Sequence, residues 1–212
     1  MSASETEIID ILEQAKVIPM LKEYLRFNNF NLEVEDGGIC AGLAAVFCKY
    51  ALEEREEKFF AMLDLLHKKG LDIKNQKNQG DQSEDLSQLN SFIAEILLAF
   101  LPQKFNTKLS QDDNGKLVKI LIENEKESKI KETKSMTLQY NLGLTASPSV
   151  WTQIFKKFKN IDGCAMTITS PTHSIAVFMK DGKFRVYDPS YNKREICNSE
   201  KELTNLFKYD IS

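Results

Sequence analysis

Cys40 closes the turn-forming stretch Gly37-Gly38-Ile39 and heads the apolar run Ala41-Gly42-Leu43-Ala44-Ala45-Val46-Phe47. Two glycines let a backbone turn sharply and approach a bound group closely. The helix predicted after them aims the positive end of its dipole at the sulfur, which favours a thiolate. Far downstream, Pro171-Thr172-His173-Ser174-Ile175-Ala176-Val177-Phe178 reads as a strand led by a histidine, and Phe184-Arg185-Val186-Tyr187-Asp188-Pro189 as the next strand, ending in an aspartate. A free thiol has a pKa of about 8.5 and is only a few per cent ionised at neutral pH. An imidazole within hydrogen-bond reach takes its proton, so the pair serves as nucleophile and then as general acid to the leaving amine. Asp188 would accept from the other ring nitrogen and fix the tautomer. A hairpin around Gly182 folds Asp188 back beside the strand that carries His173, so cysteine, histidine and aspartate can meet.

Gly37-Gly38-Ile39-Cys40, Thr172-His173-Ser174-Ile175-Ala176-Val177 and Val186-Tyr187-Asp188-Pro189-Ser190-Tyr191-Asn192 together resemble the three motif blocks of the YopT-type family of papain-like cysteine proteases, bacterial effectors that act inside host cells. The resemblance implies a papain-like α+β fold, with a helical lobe bearing Cys40 and an antiparallel sheet bearing His173 and Asp188. It also implies cleavage of a peptide bond in a host protein without a cofactor, after delivery into the host cytosol by a specialised secretion system. Papain-like enzymes add a side-chain amide shortly before the cysteine as an oxyanion donor. Here Glu33, Glu35 and Asp36 occupy the nearest upstream positions, and Asn31, followed by Asn29 and Asn28, is the available amide. An ionised carboxylate cannot donate.

Two other functions use the same residues. A transglutaminase, deamidase or acyltransferase passes through the same thioester and differs in what resolves it. A catalytically weak protease-like interaction module fits the acids at 33 to 36, whose charge opposes thiolate formation.

The elements that must position these groups follow from periodicity. Ser4 and Glu7 form a capping box ahead of Ile8, Ile9, Ile11 and Leu12, and Ile18, Leu21, Tyr24 and Leu25 continue at helical spacing with a break expected near Pro19. Residues 40 to 69 read as one or two helices stopped at Gly70, with His67 near that C-terminus; Glu53 to Lys58 reads as a solvated, locally paired face. Polar residues 72 to 87 predict a loop, Leu86 to Phe100 an amphipathic helix stopped before Pro102, and Leu117 to Ile122 a strand. Ser147-Pro148 opens a helix whose Trp151, Phe155 and Phe158 belong to the core. Strands follow at 164 to 169, 174 to 179 and 184 to 187, with Asp181-Gly182 as the hairpin turn, and Ser199 with Glu202 caps a final helix. Helices first and sheet afterwards predict one α+β domain over residues 1 to 212, with a helical lobe to about 160 and a sheet lobe beyond.

Bulk properties exclude several alternatives. The chain has 212 residues, 42% hydrophobic and 28% charged, with net charge -3. Its basic runs are offset by acids and lack interleaved aromatics, which argues against nucleic acid. Four cysteines at 40, 48, 164 and 197 lack metal-site spacing and disulfide density, and Cys48 reads as a small core residue. No cofactor or metal is expected. The N-terminus has no signal-peptide pattern, and no window approaches the roughly 20 apolar residues of a membrane span.

Overall fold

The computed structural model describes residues 12–30, 32, 34, 39–74, 84–110, 113–124, 137, 142–143, 146–191 and 194–207. The Ser4–Glu7 capping box, the Gly37-Gly38 turn, and Asn31, Glu33, Glu35 and Asp36 lie outside these residues. Helices α1 (Gln14–Phe27), α2 (Cys40–Leu52), α3 (Glu56–Lys74), α4 (Glu84–Phe100), α5 (Pro102–Phe105), α6 (Asn114–Asn124) and α7 (Pro148–Lys159) precede strands β1 (Cys164–Thr169), β2 (Ser174–Lys180), β3 (Lys183–Tyr187) and β4 (Arg194–Cys197), and α8 (Glu200–Phe207) follows. The architecture is mixed helix and sheet, with one antiparallel sheet in the order β1-β2-β3-β4.

α2 is the central helix. Residues 41 to 51 are all buried, which an amphipathic surface helix would not allow, and α2 packs against α3, α4, α6, β1 and β2. Lys49, fully buried within it, is paired with Glu95 of α4. The sheet lies between two layers. Ala176, Phe178 and Tyr187 face the helical core, where Tyr187 stacks on Phe47 at 5.0 Å between ring centroids. Val177, Met179, Phe184 and Val186 face the other way and bury Phe155 and Phe158 of α7 with Leu203 and Phe207 of α8. This alternation is the period-2 pattern of strands covered on both faces. The β2–β3 connection is a two-residue turn with Asp181 at φ 53° and Gly182 at φ 71°, the backbone for which Asp-Gly is preferred.

Four expectations are corrected. Leu117 to Ile122 is helical within α6, because Leu117, Val118, Leu121 and Ile122 bury one helical face toward the core. α1 runs unbroken through Pro19: Pro19 and Ala15, whose carbonyl loses its helical partner, are both exposed, so water replaces the missing bond. Gly70 does not end α3, which continues to Lys74 with His67 in its interior. A Cβ at Gly70 would fall 2.6 Å from Met20 Cβ of α1, so this glycine serves a close helix–helix approach. The 53 to 58 segment is only in part a solvated, locally paired face: Glu54 and Glu57 are exposed and Arg55 pairs with Glu53 at 3.1 Å. Glu53 and Glu56 are buried, and Glu56 binds Arg185 of β3 at 2.7 Å and Arg194 of β4 at 3.5 Å, joining the helices to the sheet. β4 is a fourth strand, added to the minimum of three read from the sequence.

Candidate functional site

Cys40 is the first residue of α2, with Ile39 at the N-cap. Its sulfur therefore sits among the unpaired N–H groups of a first helical turn. His173 directly precedes β2, and its backbone is held by a tight turn: Ser170 N–H donates to the His173 carbonyl at 2.8 Å, and His173 N–H donates to Ser170 Oγ at 3.1 Å. Asp188 directly follows β3. Ala176 pairs with Tyr187, so one step beyond that pair brings Asp188 opposite Ile175, two residues from His173.

The three predicted residues come together. His173 Nε2 lies 2.7 Å from Asp188 Oδ1. That leaves Nδ1 as the other ring nitrogen, and the ring is close enough to the Cys40 thiol for each group to shift the other's pKa. Asp188 is oriented in turn by Ser190, whose N–H donates to the same Oδ1 at 2.8 Å. Cys40 is half-buried.

The electrostatics follow from this geometry. Partial burial pushes the Cys40 thiol up, but the hydrogen bond and positive charge of His173, with the Ser174 and Ala41 N–H groups, outweigh it and leave the thiol below its ordinary value. The other three cysteines go the opposite way. Burial pushes Cys48, Cys164 and Cys197 each up to about 12, with nearby carboxylates adding to the last two. Cys48 is enclosed in the core as expected, its thiol facing the Met166 carbonyl. His173 is raised to about 10 by its hydrogen bond to Asp188, then by that to Cys40, against partial burial. The raised histidine and the lowered cysteine both favour the thiolate–imidazolium form of the pair over the neutral form. Among the described residues, no group of three or more His, Cys, Asp or Glu side chains is placed to hold a metal ion, and no helix is long and apolar enough to cross a membrane.

The amide expected upstream of the cysteine is only partly traceable. Asn31 lies outside the described residues, and Asn28 caps α1, its Nδ2 donating to the Tyr24 carbonyl at 2.9 Å. The structure brings a different amide to the start of α2, Gln14, whose Oε1 accepts the Ile39 N–H at 3.2 Å. Nothing local in the sequence marks Gln14. Its signal is tertiary, a contact across 25 residues with Ile39 and across 176 with Ser190.

The chain matches no protein-family model, no curated protein and no solved structure.

Proposed function

We propose that this protein is a thiol hydrolase of papain-like fold, a cysteine protease in which Cys40 is the nucleophile, His173 the acid–base group and Asp188 the residue that orients His173. The observation that carries this function is selective: of four cysteines, only Cys40 has its thiol pulled below the ordinary range, and a histidine already held by an aspartate is the largest influence pulling it down. Burial alone makes a cysteine inert, as at the other three positions.

In the reaction, the Cys40 thiolate attacks a substrate carbonyl carbon and the carbonyl π electrons move onto oxygen. The first-turn N–H groups of α2 and its dipole favour that developing negative charge. Collapse of the tetrahedral adduct breaks the C–N bond, with the proton on His173 passing to the departing amine. The thioester that remains is hydrolysed by water, whose proton returns to His173, and the thiolate is released. Asp188 keeps the imidazole in the tautomer this exchange needs. The resemblance of the three motif blocks to the YopT-type effectors is what supports a host protein as the substrate and the host cytosol as the site of action.

Incubation of the purified protein with a glutamine-containing peptide library and a labelled primary amine tests the chemistry. Chain cleavage abolished by Cys40→Ala is the expected result. Amine incorporation or deamidation without cleavage would replace proteolysis with acyl transfer on the same triad, and alkylation of Cys40 with an ordinary thiol pH profile, unchanged by His173→Ala, would remove the enzymatic function altogether.

A further inference from the structure

The triad alone is an open chain of contacts between two separately built parts of the molecule. Cys40 belongs to the central helix of the helical core, while His173 and Asp188 sit at the ends of two strands. Nothing within the three residues fixes the start of α2 relative to the loop after β3. Gln14, the first residue of α1, touches both. Its backbone N–H donates to the Pro189 carbonyl at 2.7 Å, its Nε2 donates to Ser190 Oγ at 3.1 Å, and its Oε1 accepts the Ile39 N–H at 3.2 Å. The chemistry of the partners sets the orientation of the amide. A backbone N–H can only donate, so the atom facing Ile39 must be the oxygen, and the nitrogen is left for the serine hydroxyl.

With Gln14 included the contacts close into a ring. From Cys40 the path runs through the His173 ring, Asp188 Oδ1, Ser190 N–H and Oγ, the Gln14 amide and the Ile39 N–H, and it returns to Cys40 through one peptide bond. Ile39 is fully buried, so its N–H has no water to fall back on and depends on Gln14. We propose that Gln14 is a positioning residue of this site: its side-chain amide ties the N-cap of the nucleophile's helix to the loop that holds Asp188, and so sets the distance at which His173 meets Cys40. The proposal rests on the thiol hydrolase function for its catalytic consequence, since the ring matters to a reaction only if Cys40 is the nucleophile. Its physical content, the coupling of Gln14 to the His173 environment, stands without it.

Two readouts test it, both on the full chain: the pH dependence of Cys40 alkylation by iodoacetamide, and the titration of the His173 ring followed by proton NMR. Gln14→Met keeps length and apolar bulk while removing donor and acceptor. The expected result is alkylation slowed about tenfold at pH 7 with its midpoint moved up, and a His173 titration midpoint moved down toward that of a free imidazole. Ser190→Ala removes one link of the same path and should shift both readouts in the same directions by less. The double variant should be no worse than Gln14→Met alone, because the two changes break one ring. A folded Gln14→Met protein with both readouts unchanged overturns the proposal. If Gln14→Met does not fold, an unchanged His173 titration in Ser190→Ala overturns it. Failure of the hydrolase function is a separate outcome: wild-type alkylation would then be indifferent to His173→Ala, and the His173 titration in Gln14→Met would still decide the positioning role.

Discussion

Asp188 Oδ1 accepts two hydrogen bonds at once, from His173 Nε2 at 2.7 Å and from Ser190 N–H at 2.8 Å. The histidine is therefore held by a carboxylate that cannot swing away without losing a backbone partner. Asp188→Asn replaces this anionic acceptor with a neutral amide that can present an N–H to the ring, so the tautomer is no longer fixed. Loss of an orienting aspartate in this arrangement typically lowers turnover by about 10⁴-fold. Steady-state cleavage by Asp188→Asn, beside Cys40→Ala as the zero, measures it. A fall below tenfold would show that Ser170 and the strand end position His173 without Asp188.

The raised His173 makes stability depend on pH with a definite sign. Its folded-state pKa of about 10 lies above the unfolded value, so the protonated ring favours the folded state. That contribution is fully present below about pH 6.5, where the unfolded chain is also protonated, and is lost as pH rises through about 10. The difference in Tm between wild type and His173→Ala should shrink from pH 6 to pH 10. A difference that grows with pH would contradict the ion pair.

Activity should show the same pair from the other side. Cleavage rises as pH passes the lowered Cys40 value and declines as His173, the acid for the leaving amine, deprotonates near 10, whereas alkylation, which needs only the thiolate, shows the rise alone. In His173→Ala the thiol returns toward its ordinary range, and the rate at pH 7 should drop on the order of tenfold or more. A pH–rate series on the two proteins gives both limbs.

How much of this was legible in the sequence depends on the range of each interaction. The triad could be read because each member sits at the end of a regular element with a strong local signature: a helix start, a strand start, and a strand end one Asp-Gly hairpin away. Gln14 and Glu56 could not. Glu56 sits in an acidic run that looks locally paired, yet its partner Arg185 is 129 residues distant. The strand expected at 117 to 122 failed for a different reason. A six-residue stretch with five apolar positions around Lys119 is too short to separate a period of 2 from one of 3.6, and Asn114-Gly115, which suggests a turn, instead opens α6.

The Glu56 cluster gives a stability prediction. Glu56 and Arg194 are both nearly inaccessible, and Glu56 also holds Arg185. Removing the buried Glu56 carboxylate takes the 2.7 Å partner from Arg185 and leaves Arg194 to Glu57 at 3.0 Å, at a cost of about 1 to 3 kcal/mol. Glu56→Gln should therefore lower the denaturant midpoint substantially, and moderate salt should lower that of the wild type only slightly. A cost below about 1 kcal/mol in chemical denaturation would mean the cluster is solvated after all.

Tyr187 tests the core beneath the site. Its ring packs against Phe47, Phe59 and Phe60, but its buried hydroxyl has no hydrogen-bond partner among the described residues. Tyr187→Phe removes only that hydroxyl and should be neutral or stabilising by about 1 kcal/mol. Tyr187→Ala opens a cavity and should cost about 3 to 5 kcal/mol. Thermal unfolding of the two variants separates the terms, and a large loss in Tyr187→Phe would reveal a partner for the hydroxyl.

Cys40 and His173 arrive at this site on different parts of the fold, Cys40 at the head of the central helix and His173 on the rim of the sheet. A chain in which only the helices, or only the strands, have formed therefore carries an ordinary, sluggish thiol. In the proposed function, Cys40 gains its reactivity only when the two parts have assembled.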